Sequence, residues 1–181
     1  MTVETLAKCL PKANATSLEL YGHKLIEAMD AFDIDTPQRQ AAFLAQIAHE
    51  SGSLRYVREI ASGVAYEGRR DLGNVIDGDG MRYKGRSFIQ ITGRANYKAV
   101  SDALGYDFVE RPEDLELPGP AAFASAWFWD SRNLNELADR NEFERISARI
   151  NGINSTTGKP NGMQDRINHW ITCKKVLGVA S

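Results

Sequence analysis

Residues 37–53 read PQRQAAFLAQIAHESGS, and the end of this run decides how the chain is read. Thr36 is a candidate N-cap and Pro37 suits the first helical position, so a helix opens here. The residues that follow are good helix formers, and Phe43, Gln46, Ile47 and Glu50 fall on one face. Glu50 therefore stands at the C-terminal end of a largely buried helix. A helical HExxH would mark a zinc hydrolase, because histidines four apart share a face. The residue four after His49 is Ser53, and the only other histidines, His23 and His169, are remote in sequence. No metal is expected, and Glu50 needs another role.

Outward from this helix, most of the chain shows helical periodicity. Residues 17–32 place Leu18, Tyr21, Leu25, Met29 and Phe32 on one stripe. Further helices are predicted over 95–104, 119–130, 133–139, 141–150 and 161–177. Trp127, Phe128 and Trp129 are read as core anchors rather than a sugar platform. The stretch 63–85 differs: it holds six glycines and three aspartates and has no helical period. It is predicted to be a long loop of the kind that carries function, with a small β-hairpin over 75–90 turning at Asp77-Gly78-Asp79-Gly80. A calcium loop does not fit, since the twelfth position from Asp77 is Phe88 instead of Glu.

The 181 residues are enough for one substantial core, and residues 1–181 read as a single domain with a helical subdomain over about 98–145. A net charge of -2 gives no reason to expect nucleic-acid binding. No run approaches the ~20 apolar residues of a membrane span. The first residues lack the apolar segment of an export signal, so synthesis and folding in the cytoplasm are expected. Cys9 and Cys173 are taken as reduced, partly buried thiols, with a bridge between the chain ends as the alternative.

The remaining chemistry is a carboxyl pair. Glycoside hydrolysis needs one acid to protonate the leaving oxygen and a second carboxylate to activate water or stabilise the cationic sugar. Glu50 suits the acid because a partly apolar setting disfavours its charged form. Glu59 and Glu67 both remain as partner. A continued helix would carry Glu59 about 13.5 Å along the axis from Glu50, so the chain must fold back, and Ser51-Gly52-Ser53 offers the place.

FLAQIAHESGSLRYVRE (43–59), followed by RYKGRSFIQITGRANY (82–97), resembles the catalytic core of glycoside hydrolase family 19, the chitinase-like group that includes many bacteriophage endolysins. The resemblance runs from Ala41 to Asn154. It implies an all-α, lysozyme-like fold with two helical lobes around a cleft. It implies Glu50 as general acid and Glu59 as general base, with Glu67 as the alternative. It also implies a cleft lined by Tyr83, Gly85, Arg86, Gln90, Thr92, Asn96 and Tyr97. His49, which precedes the acid, is expected to contact the substrate, and the ING segment implies a sugar contact from Asn151. Thr92 is expected to hold the attacking water beside Glu59, while Arg86 is open to a structural role against an acidic residue. Ser87 departs from the family's usual Gly, and the short link between the motifs is the endolysin pattern.

The function implied is hydrolysis of β-1,4 bonds between amino sugars of bacterial peptidoglycan, with inversion. Chitin hydrolysis and non-catalytic sugar binding are the alternatives. No cofactor, stable membrane insertion or nucleic-acid partner is expected. The protein should act as a monomer on the cell wall after a holin-like pore opens the membrane.

Overall fold

The computed structural model describes residues 1–180. Among the described residues nine α-helices carry the fold: α1 (Val3–Cys9), α2 (Ala15–Ala31), α3 (Pro37–Glu50), α4 (Asp79–Arg82), α5 (Arg94–Leu104), α6 (Pro118–Asp130), α7 (Leu134–Asp139), α8 (Phe143–Asn151) and α9 (Met163–Leu177). The all-α, lysozyme-like expectation holds. Thr36 caps α3, its hydroxyl accepting from the Arg39 amide at 3.3 Å, with Pro37 in the first turn. Helix α1 was not anticipated; Thr2 caps it by accepting from Thr5 N.

The described residues bury two apolar cores. The larger gathers α1, α2, α3, α7, α8 and α9 around Phe43, Ile47, Trp129 and Ile146. Residues Ala41 to Ala48 of α3 are all buried, so this helix is enclosed on nearly every side. The smaller core gathers Tyr83, Ile89, Ile91, Tyr97, Val100, Phe108 and Leu115. Helix α6 belongs to both: Ala122, Ala126 and Trp129 face the first core and Ala124 the second. A helix apolar all round must be buried on more than one side. The second core is drawn from residues 83–124, and Leu134, Leu137 and Ala138 of α7 belong to the first.

The hairpin expected over 75–90 is replaced by a helical turn. Its backbone donors go to carboxylates instead of a strand partner: Asp79 accepts from Val75 N and Ile76 N, and Glu67 accepts from Gly78 N and Gly80 N. Arg94 clamps Asp79 with two bonds of 2.9 and 2.6 Å. Among the described residues the only extended pairing is two isolated antiparallel bridges, Arg58 with Arg86 and Arg86 with Ile91. Cys9 and Cys173 are free and fully buried, not partly so, and the Cys173 thiol donates to the Cys9 carbonyl at 3.4 Å.

Candidate active site

Helix α3 delivers its last residue to the surface beside α9. The Glu50 side chain is 13% exposed, and its Oε1 accepts from Arg166 Nη2 at 2.5 Å. Arg166 has no exposed surface; it also donates to Gln46 Oε1 and, at 3.1 Å, to the Asn161 carbonyl. Gln46 Nε2 in turn donates to Ser147 Oγ at 2.8 Å. The partly apolar setting expected for Glu50 is therefore corrected. A buried guanidinium must be paired, and it reaches the one face of α3 that carries Gln46 and Glu50.

The neighbouring pair repeats the pattern one residue earlier. His49 Nδ1 lies 2.7 Å from Asp165 Oδ2, and Asp165 also approaches His169 at 3.5 Å and Lys12 at 3.9 Å. The His49–Asp165 hydrogen bond, helped by both histidines and Lys12, holds the Asp165 carboxyl below its ordinary range. Burial pushes His169 down. The His49 ring sits so close to Gly162 that any side chain there would collide with it.

After Glu50 the chain reverses through three successive left-handed residues, Gly52, Ser53 and Leu54, with φ of 58, 61 and 65°. For the two non-glycines this costs about 1–2 kcal/mol each. Offsetting bonds hold the turn: Ser53 N to Ala48 O at 2.8 Å, Leu54 N to Ser51 Oγ at 2.8 Å and Arg55 N to Ser51 O at 3.0 Å. Leu54 is fully buried, which anchors the reversal.

The returning chain meets the second motif. Glu59 N donates to Gly85 O at 2.8 Å, and Gly85 N donates to Glu59 Oε2 at 3.1 Å. Tyr66 donates its phenol to Glu59 Oε1 at 3.0 Å, and burial raises that phenol, with Glu59 adding to the effect. A Cβ at Gly85 would lie 2.5 Å from Gln90 Oε1 and 3.3 Å from both Glu59 Oε2 and Thr92 Oγ1. Three side-chain oxygens therefore converge over one glycine. Thr92 Oγ1 donates to Gln90 O, and Asn96 Nδ2 donates to Thr92 O at 2.7 Å. Gln90 itself holds a left-handed φ of 59°. Beside Glu59, a depression is lined by Arg55, Tyr56, Arg58, Lys84 and Glu116.

Other residues of the motif are scaffold, which corrects the expected cleft lining. Tyr83 and Tyr97 have no exposed surface. Tyr83 donates to Val109 O at 3.0 Å, and Tyr97 to Lys84 O at 2.6 Å; burial pushes the Tyr97 phenol far up. Arg86 is buried, and its guanidinium bonds Glu116 Oε1 at 2.8 Å, Arg82 O and Tyr97 OH. It orders the second motif from below without touching Glu50. Glu67 spends both oxygens on the 78–80 loop, at 2.7 and 2.8 Å, and acts as a loop staple. Asn151 ends α8 exposed, one turn beyond Ser147. Arg166, Gln46, Asp165 and Tyr66 were not among the expected site residues. Of these only Gln46 had a signal, its place on the Glu50 face.

No protein-family model matches the chain. A glycosyl hydrolase family 19 domain-containing protein of Haemophilus influenzae is 33% identical over 146 residues, covering 63% of this chain and 70% of that protein. The chain belongs to glycoside hydrolase family 19. An endochitinase of Arabidopsis thaliana is 36% identical over 146 residues, covering 77% of this chain and 48% of that protein. The chain spans about half the length of the plant relatives it matches first, 48% and 53%. The crystal structure of chitinase C from Streptomyces griseus superposes with a TM-score of 0.80 at 26% identity, covering 99% of this chain and 77% of that one.

Proposed function

We propose that this chain hydrolyses β-1,4 bonds between N-acetylated amino sugars, with Glu50 as general acid and Glu59 as general base. The observation that supports this is that both carboxylates are held in fixed positions, Glu50 by Arg166 and Glu59 over Gly85 beside a threonine hydroxyl. Glu50 delivers its proton to the glycosidic oxygen as the C1–O bond breaks. Glu59, with Thr92, takes a proton from a water that attacks C1 from the other face, so the product is inverted. Gln90 offers a donor and an acceptor to an N-acetyl group or to the water. Glu67 is set aside as the base because the 78–80 backbone already engages both its oxygens.

The substrate proposed is bacterial peptidoglycan, in the role of an endolysin. The short link between the two motifs and the cations beside Glu59 support this choice, since peptidoglycan carries carboxylates and chitin carries none. In that role the protein is made in a host cytoplasm and meets the wall once a separate pore-forming protein opens the membrane. Among the described residues no helix is long and apolar enough to cross a membrane. A second reading, chitin hydrolysis, is favoured by the names of the relatives, several of which are endochitinases. The test is turbidity of outer-membrane-permeabilised Gram-negative cells alongside sugar release from colloidal chitin. Wild type should clear the cells and Glu50→Gln should not; sugar release from chitin without clearing would favour the second reading.

A further inference from the structure

The depression beside Glu59 has an uneven charge balance. Five charged side chains line it: Arg55, Arg58, Lys84, Glu59 and Glu116. The two carboxylates are already engaged. Glu116 accepts from the buried Arg86 at 2.8 Å and pairs with Arg58 at 3.5 Å, and Glu59 is held by Tyr66 and the Gly85 amide. The cations are less well matched. The Arg55 guanidinium has no partner among the described residues, and Lys84 Nζ donates only to the neutral Ala61 carbonyl at 3.1 Å. Arg58, at 58% side-chain exposure, keeps most of its donors free. Tyr56, 42% exposed, adds an aromatic face to the lining.

Uncompensated cations around a concave surface favour an anion there, and a guanidinium suits a carboxylate in particular. The position next to the proposed base places that anion on a substituent of the sugar strand near the bond to be cut. We propose that this depression is a subsite for the carboxylate-bearing peptide arm of a substituted amino-sugar strand, with Arg55 and Lys84 as its charge-bearing residues. The inference rests on the peptidoglycan reading of the site and names the group that separates peptidoglycan from a neutral polymer. Neither residue belongs to the acid–base machinery.

The test compares wild type with an Arg55→Gln/Lys84→Gln double variant on two probes: purified peptidoglycan, and the same material with its free carboxyls amidated. Wild type should need about three- to tenfold less native than amidated peptidoglycan for half-maximal rate, the size expected of two solvent-exposed charge contacts. The double variant should lose that preference, at an unchanged thermal midpoint and an unchanged rate on amidated material. A wild type indifferent to amidation, or a double variant that keeps the preference, would overturn the subsite alone. A wild type that turns over neither probe would overturn the peptidoglycan reading and the subsite with it. Arg55→Glu gives a second check, since reversal should weaken native substrate further than neutralisation.

Discussion

Glu50 and Arg166, 116 residues apart, meet at 2.5 Å where the end of α3 lies against the start of α9. The residues just before them, His49 and Asp165, meet at 2.7 Å, so a His-Glu pair on one helix is matched in register by an Asp-Arg pair on the other. The guanidinium is wholly buried while the carboxylate still reaches solvent. This fixes the direction in which the proposed acid points.

Replacing Arg166 should therefore separate orientation from folding. Arg166→Ala strands Gln46 and Glu50 without their donor and should cost about 3–5 kcal/mol, read from denaturant unfolding. Arg166→Lys keeps the charge but not the planar fork that reaches Gln46, Asn161 and Glu50 together. It should fold with a smaller penalty yet lose about tenfold or more in kcat.

Gly85→Ala should be a function defect more than a stability defect. The new methyl meets the end of the Gln90 side chain, which can swing away, but it fills the space shared with Glu59 and Thr92. Turnover should fall by about 100-fold, within the range of lost general-base assistance, with the thermal midpoint within a few degrees of wild type.

Ser87 is the converse case. Its φ of 66° is left-handed, and its buried hydroxyl has no hydrogen-bond partner among the described residues. Ser87→Gly, the residue usual in the resembling family, removes both penalties, offset in part by greater freedom of the unfolded chain. A net gain of about 1 kcal/mol should appear as a rise of roughly 2–4 °C in Tm by calorimetry.

The His49–Asp165–His169 cluster sets an acid limit on stability. Burial holds His169 below its ordinary 6.5 in the folded chain. Below that pH the unfolded chain binds a proton that the folded chain refuses, so stability declines as pH falls through this window. Asp165 is also depressed, from 3.8, chiefly by His49, and its contribution is lost as pH falls further through the carboxylate range. Lys12 and His49 face the same carboxylate, at 3.9 and 2.7 Å. His169→Gln should flatten the first decline in urea midpoints, read from pH 7 to 5, and leave the second, read from pH 5 to about 3.

How far the sequence reached differs by kind of signal. Local signals read well: Thr36-Pro37 marked the start of α3, the apolar period of α2 located that helix, and the runs of helix formers at α6 and α9 were placed to within a few residues. The fold-back at Ser51-Gly52-Ser53 was also visible, although the left-handed φ of Leu54 was not, because a leucine carries no turn signal. Long-range partners were invisible. Arg166 sits in a helix whose sequence gives no hint of a contact 116 residues away, and Tyr66 is a lone aromatic in a loop. The second motif drew Tyr83, Arg86 and Tyr97 together with Gln90 and Thr92, but a motif does not say which members line a groove and which support it. Burial separates them: the first three hold the loop from beneath and the last two face Gly85. The expected hairpin failed because Glu67 and Asp79 took the amides that a strand partner would have used.

The most direct test of the two-carboxylate account is chemical rescue of Glu59→Ala by azide, followed by NMR of the sugar product. The account predicts that Glu59→Ala is nearly inactive, that azide restores turnover in place of the activated water, and that the product is the α-glycosyl azide. It also predicts that Glu67→Ala keeps most of its activity without azide. Rescue at position 67 in place of 59, or a β-configured product, would contradict it.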